Sequence, residues 1–339
     1  MQSIALIVAL VLAFGSFLSR AQTAQDGMPA PSTSRMFTPR VVEKTGPPVD
    51  IEDARRLSEQ ALRNGVRATK EQCERLNNGI WAATDNGETA CLRYWAAGVG
   101  ATAPATRAIV YFSGDVWSAG RAVPAYVATS DDVLAKAAAG WAGRLGLPYI
   151  FLARPGTYGS SGDHMERRRP AESRLVSAAL DVLKARLNIS EFVVVGFSGG
   201  GHVTSALVTL RSDIVCAVPG GASSSPRMRL ELKRWTTDAT GYGDSYEPVQ
   251  HLRKDGTHPR LRIFVVGDPR DEEGLWPSQI VMAQIAREKG IASEVIEVKG
   301  SAPDFHTGQG EIVRLVAGWC GNDVSTQEIV RRAWGYQER

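Results

Sequence analysis

Ser198 sits in the stretch VGFSGGG, residues 195–201, directly behind the apolar run Phe192–Val195. A serine hydroxyl is a weak nucleophile unless a base removes its proton and an acid orients that base. Glycines on both sides of Ser198 suit a tight turn, where side chains would crowd the backbone. A helix opening at Gly199 would add free N–H groups and a positive dipole end, both favourable to developing negative charge. The pattern Gly196-Phe197-Ser198-Gly199-Gly200 therefore predicts a nucleophile on a strand-turn-helix elbow.

The base must come from a histidine. Beyond the helix that Ser198 opens, the chain offers His251, His258 and His306. His306, in GSAPDFHTG, follows the last apolar strand and precedes a helix, which is where a base belongs. His202 lies one helical turn from Ser198 and points along that helix, so it reads as a packed or surface histidine. The acid should follow the preceding strand. RIFVVGDPRDEEGLWPSQ offers Asp268, Asp271, Glu272 and Glu273. Asp268, between Gly267 and Pro269, looks like a turn residue. Asp271 reaches further from the strand end and is the preferred acid. An oxyanion needs two backbone donors. Gly199 is the first. The loop SGDVW after the run AIVYF supplies the second, with the Asp115 amide preferred and Val116 next. Trp117, Tyr158 and residues 222–258 are candidates to shape a pocket.

These residues need a scaffold. Gly79–Gly98 reads as two strands around Asn86-Gly87, a hairpin signal. After it, buried strands alternate with helical stretches. Strands are expected at RAIVYFSG, LPYIFLARPG, EFVVVGFS, DIVCAVPGG, RLRIFVVGD and SEVIEVKG. Helices are expected near 130–145, 170–187, 199–212, 277–289 and 308–319, and an earlier one over 50–64 stopped by Gly65. This predicts an α/β fold with a mostly parallel central sheet, helices on both faces and an initial β-hairpin. Residues 222–258 lack a clear strand and are rich in turn residues, which predicts a lid or binding insertion.

Composition excludes little else. The chain has 339 residues, 43% of them hydrophobic, and a net charge of +3, so nothing calls for nucleic acid. The run Arg167-Arg168-Arg169 reads as a solvated face. An apolar stretch from Ile4 to Leu18, followed by Ser19-Arg20-Ala21, has the layout of a secretory signal peptide, although no Lys or Arg precedes it; Ala24 offers a second cleavage point. The expected organisation is a signal peptide over 1–21, an extended leader and helix over 22–74, and a catalytic domain over 75–339. Export favours disulfides. Cys73 and Cys91 flank the hairpin's first strand and turn, a plausible local bridge; Cys216 reads equally as a buried free thiol. No Cys/His spacing suggests a metal.

At these residues the sequence resembles the α/β-hydrolase superfamily, over about residues 79–320. GFSGG is similar to its nucleophile elbow. LARPGTYGSSGDH at 152–164 resembles the segment after its fourth strand. GDPRDEEGLWPSQ looks like the acid loop of prolyl-oligopeptidase-like and dienelactone-hydrolase-like members. The resemblance implies hydrolysis of an ester, amide or related acyl bond by Ser198, Asp271 and His306, with no metal or cofactor. The substrate implied is a small ester or short peptide, with no stable membrane insertion after signal cleavage. A binding protein on the same fold that has lost catalysis is the competing class.

Overall fold

The computed structural model describes residues 39–55, 57–99 and 105–337. The expected signal peptide, and all but the end of the leader that follows it, lie outside the described residues.

In chain order the elements are β1 (Val49–Asp50), α1 (Glu59–Asn64), β2 (Val66–Arg67), α2 (Lys70–Glu74), β3 (Gly79–Ala83) and β4 (Thr89–Ala97). Next come β5 (Ala105–Phe112), β6 (Trp117–Ser118), β7 (Arg121–Ala122), α3 (Pro124–Val127), α4 (Asp131–Leu145) and β8 (Tyr149–Leu152). They are followed by α5 (Pro170–Arg186), β9 (Ile189–Phe197), α6 (Gly199–Leu207), β10 (Ile214–Gly220), α7 (Pro226–Lys233) and α8 (Pro248–His251). The chain continues through β11 (Arg262–Gly267), α9 (Trp276–Glu288), β12 (Ala292–Glu297), α10 (Gly310–Gly321) and α11 (Thr326–Gln337).

The described residues form an eight-stranded sheet in the order β12-β11-β10-β9-β5-β8-β4-β3. Strands β8, β5, β9, β10, β11 and β12 run parallel, and the β3–β4 hairpin joins antiparallel at one edge. Alternation along β5 shows why the sheet needs helices on both faces. Ala108, Val110 and Phe112 belong to the core that also holds apolar residues of α5, α6 and α9, while Ile109 and Tyr111 belong to the one that holds those of α4, α10 and α11. The expected mostly parallel sheet with an initial hairpin is what the chain builds.

Some elements depart from the sequence reading. Residues 50–64 are not one helix. Val49–Asp50 pairs in parallel with Val66–Arg67, and the helix begins only at Glu59, capped by Ser58. The helix after Ser198 ends at Leu207, short of 212. Helix α11 and the small β6–β7 hairpin were not expected.

Both cysteine pairs are bridged. Cys73 bonds Cys91, and Cys216 bonds Cys320, so the free-thiol reading of Cys216 is corrected. The missed partner lies 104 residues away on α10, a distance at which sequence carries no pairing signal. No described helix is long and apolar enough to cross a membrane.

Candidate active site

Strand β9 delivers Ser198 to the carboxyl end of the sheet. Its backbone there has φ 55° and ψ −121°, a left-handed conformation that costs a non-glycine residue about 1–3 kcal/mol. The turn is held by Ser198 N–H donating to the Gly220 carbonyl (2.8 Å) and by the His202 N–H donating to the Ser198 carbonyl (3.1 Å). Close approach explains two of the glycines. A Cβ on Gly196 would stand 2.2 Å from the Gly200 carbonyl oxygen, and one on Gly200 would stand 2.2 Å from that of Phe112.

The loop after β12 brings His306 to this turn. Its Nε2 lies 2.9 Å from Ser198 Oγ, and its Nδ1 lies 2.8 Å from Asp271 Oδ2. An Nδ1–H donating to Asp271 leaves Nε2 free to accept the serine proton. Phe197 lies against the imidazole at 4.9 Å between centroids.

Asp271 is 3% exposed. Its Oδ1 accepts from the Glu273 and Gly274 amides at 2.8 and 2.7 Å, and its Oδ2 also accepts from Gln279 Nε2 at 2.9 Å. Sequence reasoning missed Gln279, which carries no motif. Asp268 is buried too, but it turns elsewhere. It accepts from the Arg270 amide, the Arg270 guanidinium and the Gly300 amide, and so ties the β11 and β12 loops together. The other histidines are elsewhere. His202 is buried and its Nε2 meets the Tyr246 carbonyl, with burial lowering its pKa to about 4. His251 stacks on Tyr246, and His258 faces Glu191.

The loop after β5 runs alongside the elbow. A Cβ on Gly114 would lie 3.3 Å from Ser198 Cβ. The Asp115 and Gly199 amides have no acceptor among the described residues. The Val116 amide donates to His164 Nε2 at 3.3 Å, so the alternative donor is already engaged. The Asp115 side chain meets Arg154, Arg167 and Arg168. Burial acts to raise its carboxyl pKa, but Arg168, Arg167 and Arg154 hold it well below the usual range. The solvated-face reading of residues 167–169 is thereby corrected: Arg167 and Arg168 face inward, and only Arg169 reaches an exposed partner, Asp244.

A cleft of about 970 Å³ opens over Ser198 and His306. Trp117 and Tyr158 line it, and residues 222–258 contribute Ser223, Arg229, Trp235 and Tyr242 to the lining. That segment is pinned by the Arg168–Asp238 ion pair and by the Tyr246 amide donating to the Arg168 carbonyl.

No family model matches the chain, and no curated protein does. Solved structures do. Est1E from Butyrivibrio proteoclasticus, solved with ferulic acid bound, superposes with a TM-score of 0.52 at 11% identity, over 72% of this chain and 98% of that one. Prolyl oligopeptidase B from Galerina marginata, an H698A mutant bound to a 35mer hydrolysis and macrocyclization substrate, gives 0.51 at 14% identity over 76% of this chain. The match spans 37% of the Galerina protein's length. At these identities the likeness is one of architecture, and with the sheet order and the elbow it identifies the chain as a protein of the α/β-hydrolase fold.

Proposed function

We propose that the protein is an exported serine hydrolase that cleaves a carboxylic ester through an acyl-enzyme. The observation that carries this reading is the continuous hydrogen-bonded line from Ser198 Oγ through His306 to the buried Asp271. In this reading Ser198 Oγ attacks the ester carbonyl while His306 Nε2 takes its proton. The Gly199 and Asp115 amides hold the oxyanion. Collapse expels the alcohol, protonated by His306. A water then repeats the sequence against the acyl-enzyme and restores Ser198. Asp271 orients the imidazole and stabilises its charged form. Export accords with the apolar stretch Ile4–Leu18 and with two disulfides. A peptidase acting on short peptides is the second reading, supported by a cleft of about 970 Å³.

A fluorophosphonate probe tests the nucleophile. Native protein should be labelled at Ser198, and Ser198→Ala and denatured protein should not. Equal labelling of native and denatured samples would sink the hydrolase reading and leave a binding protein. A panel of p-nitrophenyl esters beside aminoacyl anilides then separates the two readings. Ester kcat/KM should exceed anilide kcat/KM by at least about 10²-fold, and the reverse order selects the peptidase.

A further inference from the structure

Three guanidinium groups converge on one carboxylate behind the elbow. Asp115 Oδ1 accepts from Arg154 Nη1 at 2.8 Å, and Oδ2 accepts from Arg167 Nε at 3.0 Å and Arg168 Nη1 at 2.5 Å. Arg154 is fully buried. Its Nη1 also donates to the Ser113 carbonyl (3.3 Å) and its Nε to Glu172 Oε1 on α5 (2.8 Å). Glu172 Oε2 accepts from the Arg168 amide at 2.6 Å, and the Arg168 side chain pairs with Asp238. The cluster thus joins Arg154, Arg167 and Arg168 to Asp115, Glu172 and Asp238, three charges of each sign.

We propose that this cluster is the device that holds the two oxyanion donors in register, with Arg154 as its positioning residue. The proposal rests on the serine-hydrolase reading and concerns the same site. Its first support is contact. Asp115 carries one donor amide on its own backbone, and three arginines hold its side chain, which stops residue 115 from turning. The residue that carries the other donor packs against the cluster: a Cβ on Gly199 would lie 2.0 Å from Asp115 Oδ1 and 2.6 Å from Arg154 Nη1. Arg154 also grips the carbonyl of Ser113, two residues before Asp115, so it fixes the loop at two points. The second support is energetic. Burying ions costs several kcal/mol each, and well-packed apolar residues of similar volume often serve stability as well or better. Arg154 even leaves its Nη2 without a partner among the described residues. Stability alone does not account for such a cluster; fixed geometry at the elbow does.

The test compares p-nitrophenyl acetate with its thiono analogue, in which sulfur replaces the carbonyl oxygen. Sulfur accepts amide hydrogen bonds weakly, so it draws little from the donors. Two variants are used: Arg154→Lys, which keeps the charge and loses the fork, and the double variant Arg154→Met/Glu172→Gln, which keeps the remaining cluster neutral. For the oxygen ester both should lose about 10²-fold in kcat with KM within about threefold, the scale of losing one oxyanion donor. The thiono ester should lose less than about threefold. The oxygen-to-sulfur rate ratio does not depend on how much of the sample is folded, so partial misfolding leaves the answer readable. An unchanged ratio, or kcat within about threefold of wild type in both variants, overturns the proposal while the hydrolase reading stands. A wild type that neither takes the fluorophosphonate nor turns over the ester overturns both.

Discussion

Asp271 and Asp268 lie three residues apart, both buried, and their partners separate their roles. Asp271 meets His306; Asp268 meets Arg270 and the Gly300 amide. Asp271→Asn should therefore lower kcat by about 10⁴-fold, since an amide at that position favours the wrong imidazole tautomer. Asp268→Asn should cost less than about tenfold in kcat and show its effect as a lower melting temperature. Parallel kinetics and melts on the two variants check this, and the opposite ranking would reassign the acid. The convergence of Ser198, Asp271 and His306 was legible in the sequence because each follows an apolar strand and only a few candidates fall there. The Asp115 cluster was not. Arg167-Arg168-Arg169 is indistinguishable in sequence from an exposed run, and Arg154, Glu172 and Asp238 come from the loop after β8, from α5 and from the 222–258 segment, with no local spacing that links them.

At the scale of elements, α6 is buried along its whole length, and His202 ties it to the 222–258 segment through the Tyr246 carbonyl. The ordinary histidine value is 6.5, and burial brings His202 down to about 4 in the folded protein. The unfolded chain therefore binds the extra proton between about pH 6.5 and 4. The stabilisation is complete above 6.5 and is lost as pH falls toward 4, amounting to about 2 kcal/mol by pH 5. His164, lowered in the same direction by burial and by Arg167, adds to the effect. The melting temperature should fall between pH 7 and 5, and His202→Gln should make that limb shallower; an identical slope in the variant would refute the assignment. Most elements were legible because their apolar period is set by two-sided or one-sided burial. The misses share a physical cause. Strand pairs of two residues, such as β1–β2 and β6–β7, have no period to read. Helix α11 buries Ile329 and Ala333 along its twelve residues, too few to stand out among its charges.

At the scale of the molecule, the sheet and its two helical layers follow from alternation along strands such as β5, and that much the apolar pattern foretold. The long bridge did not show, because Cys216 and Cys320 are brought together by the packing of α10 against β10. In a loop-entropy account, closing about 100 residues stabilises by about 5 kcal/mol, so the Cys216→Ala/Cys320→Ala variant should lose roughly 2–5 kcal/mol in denaturant unfolding. Residues 216–320 form a covalent ring that contains Asp271 and His306, with Ser198 just outside it. A protease that nicks the surface segment 222–258 would release no fragment. The cut molecule should run as one band on a non-reducing gel and go on turning over ester, and it should come apart, with its serine on one piece and its histidine on the other, only when reductant is added.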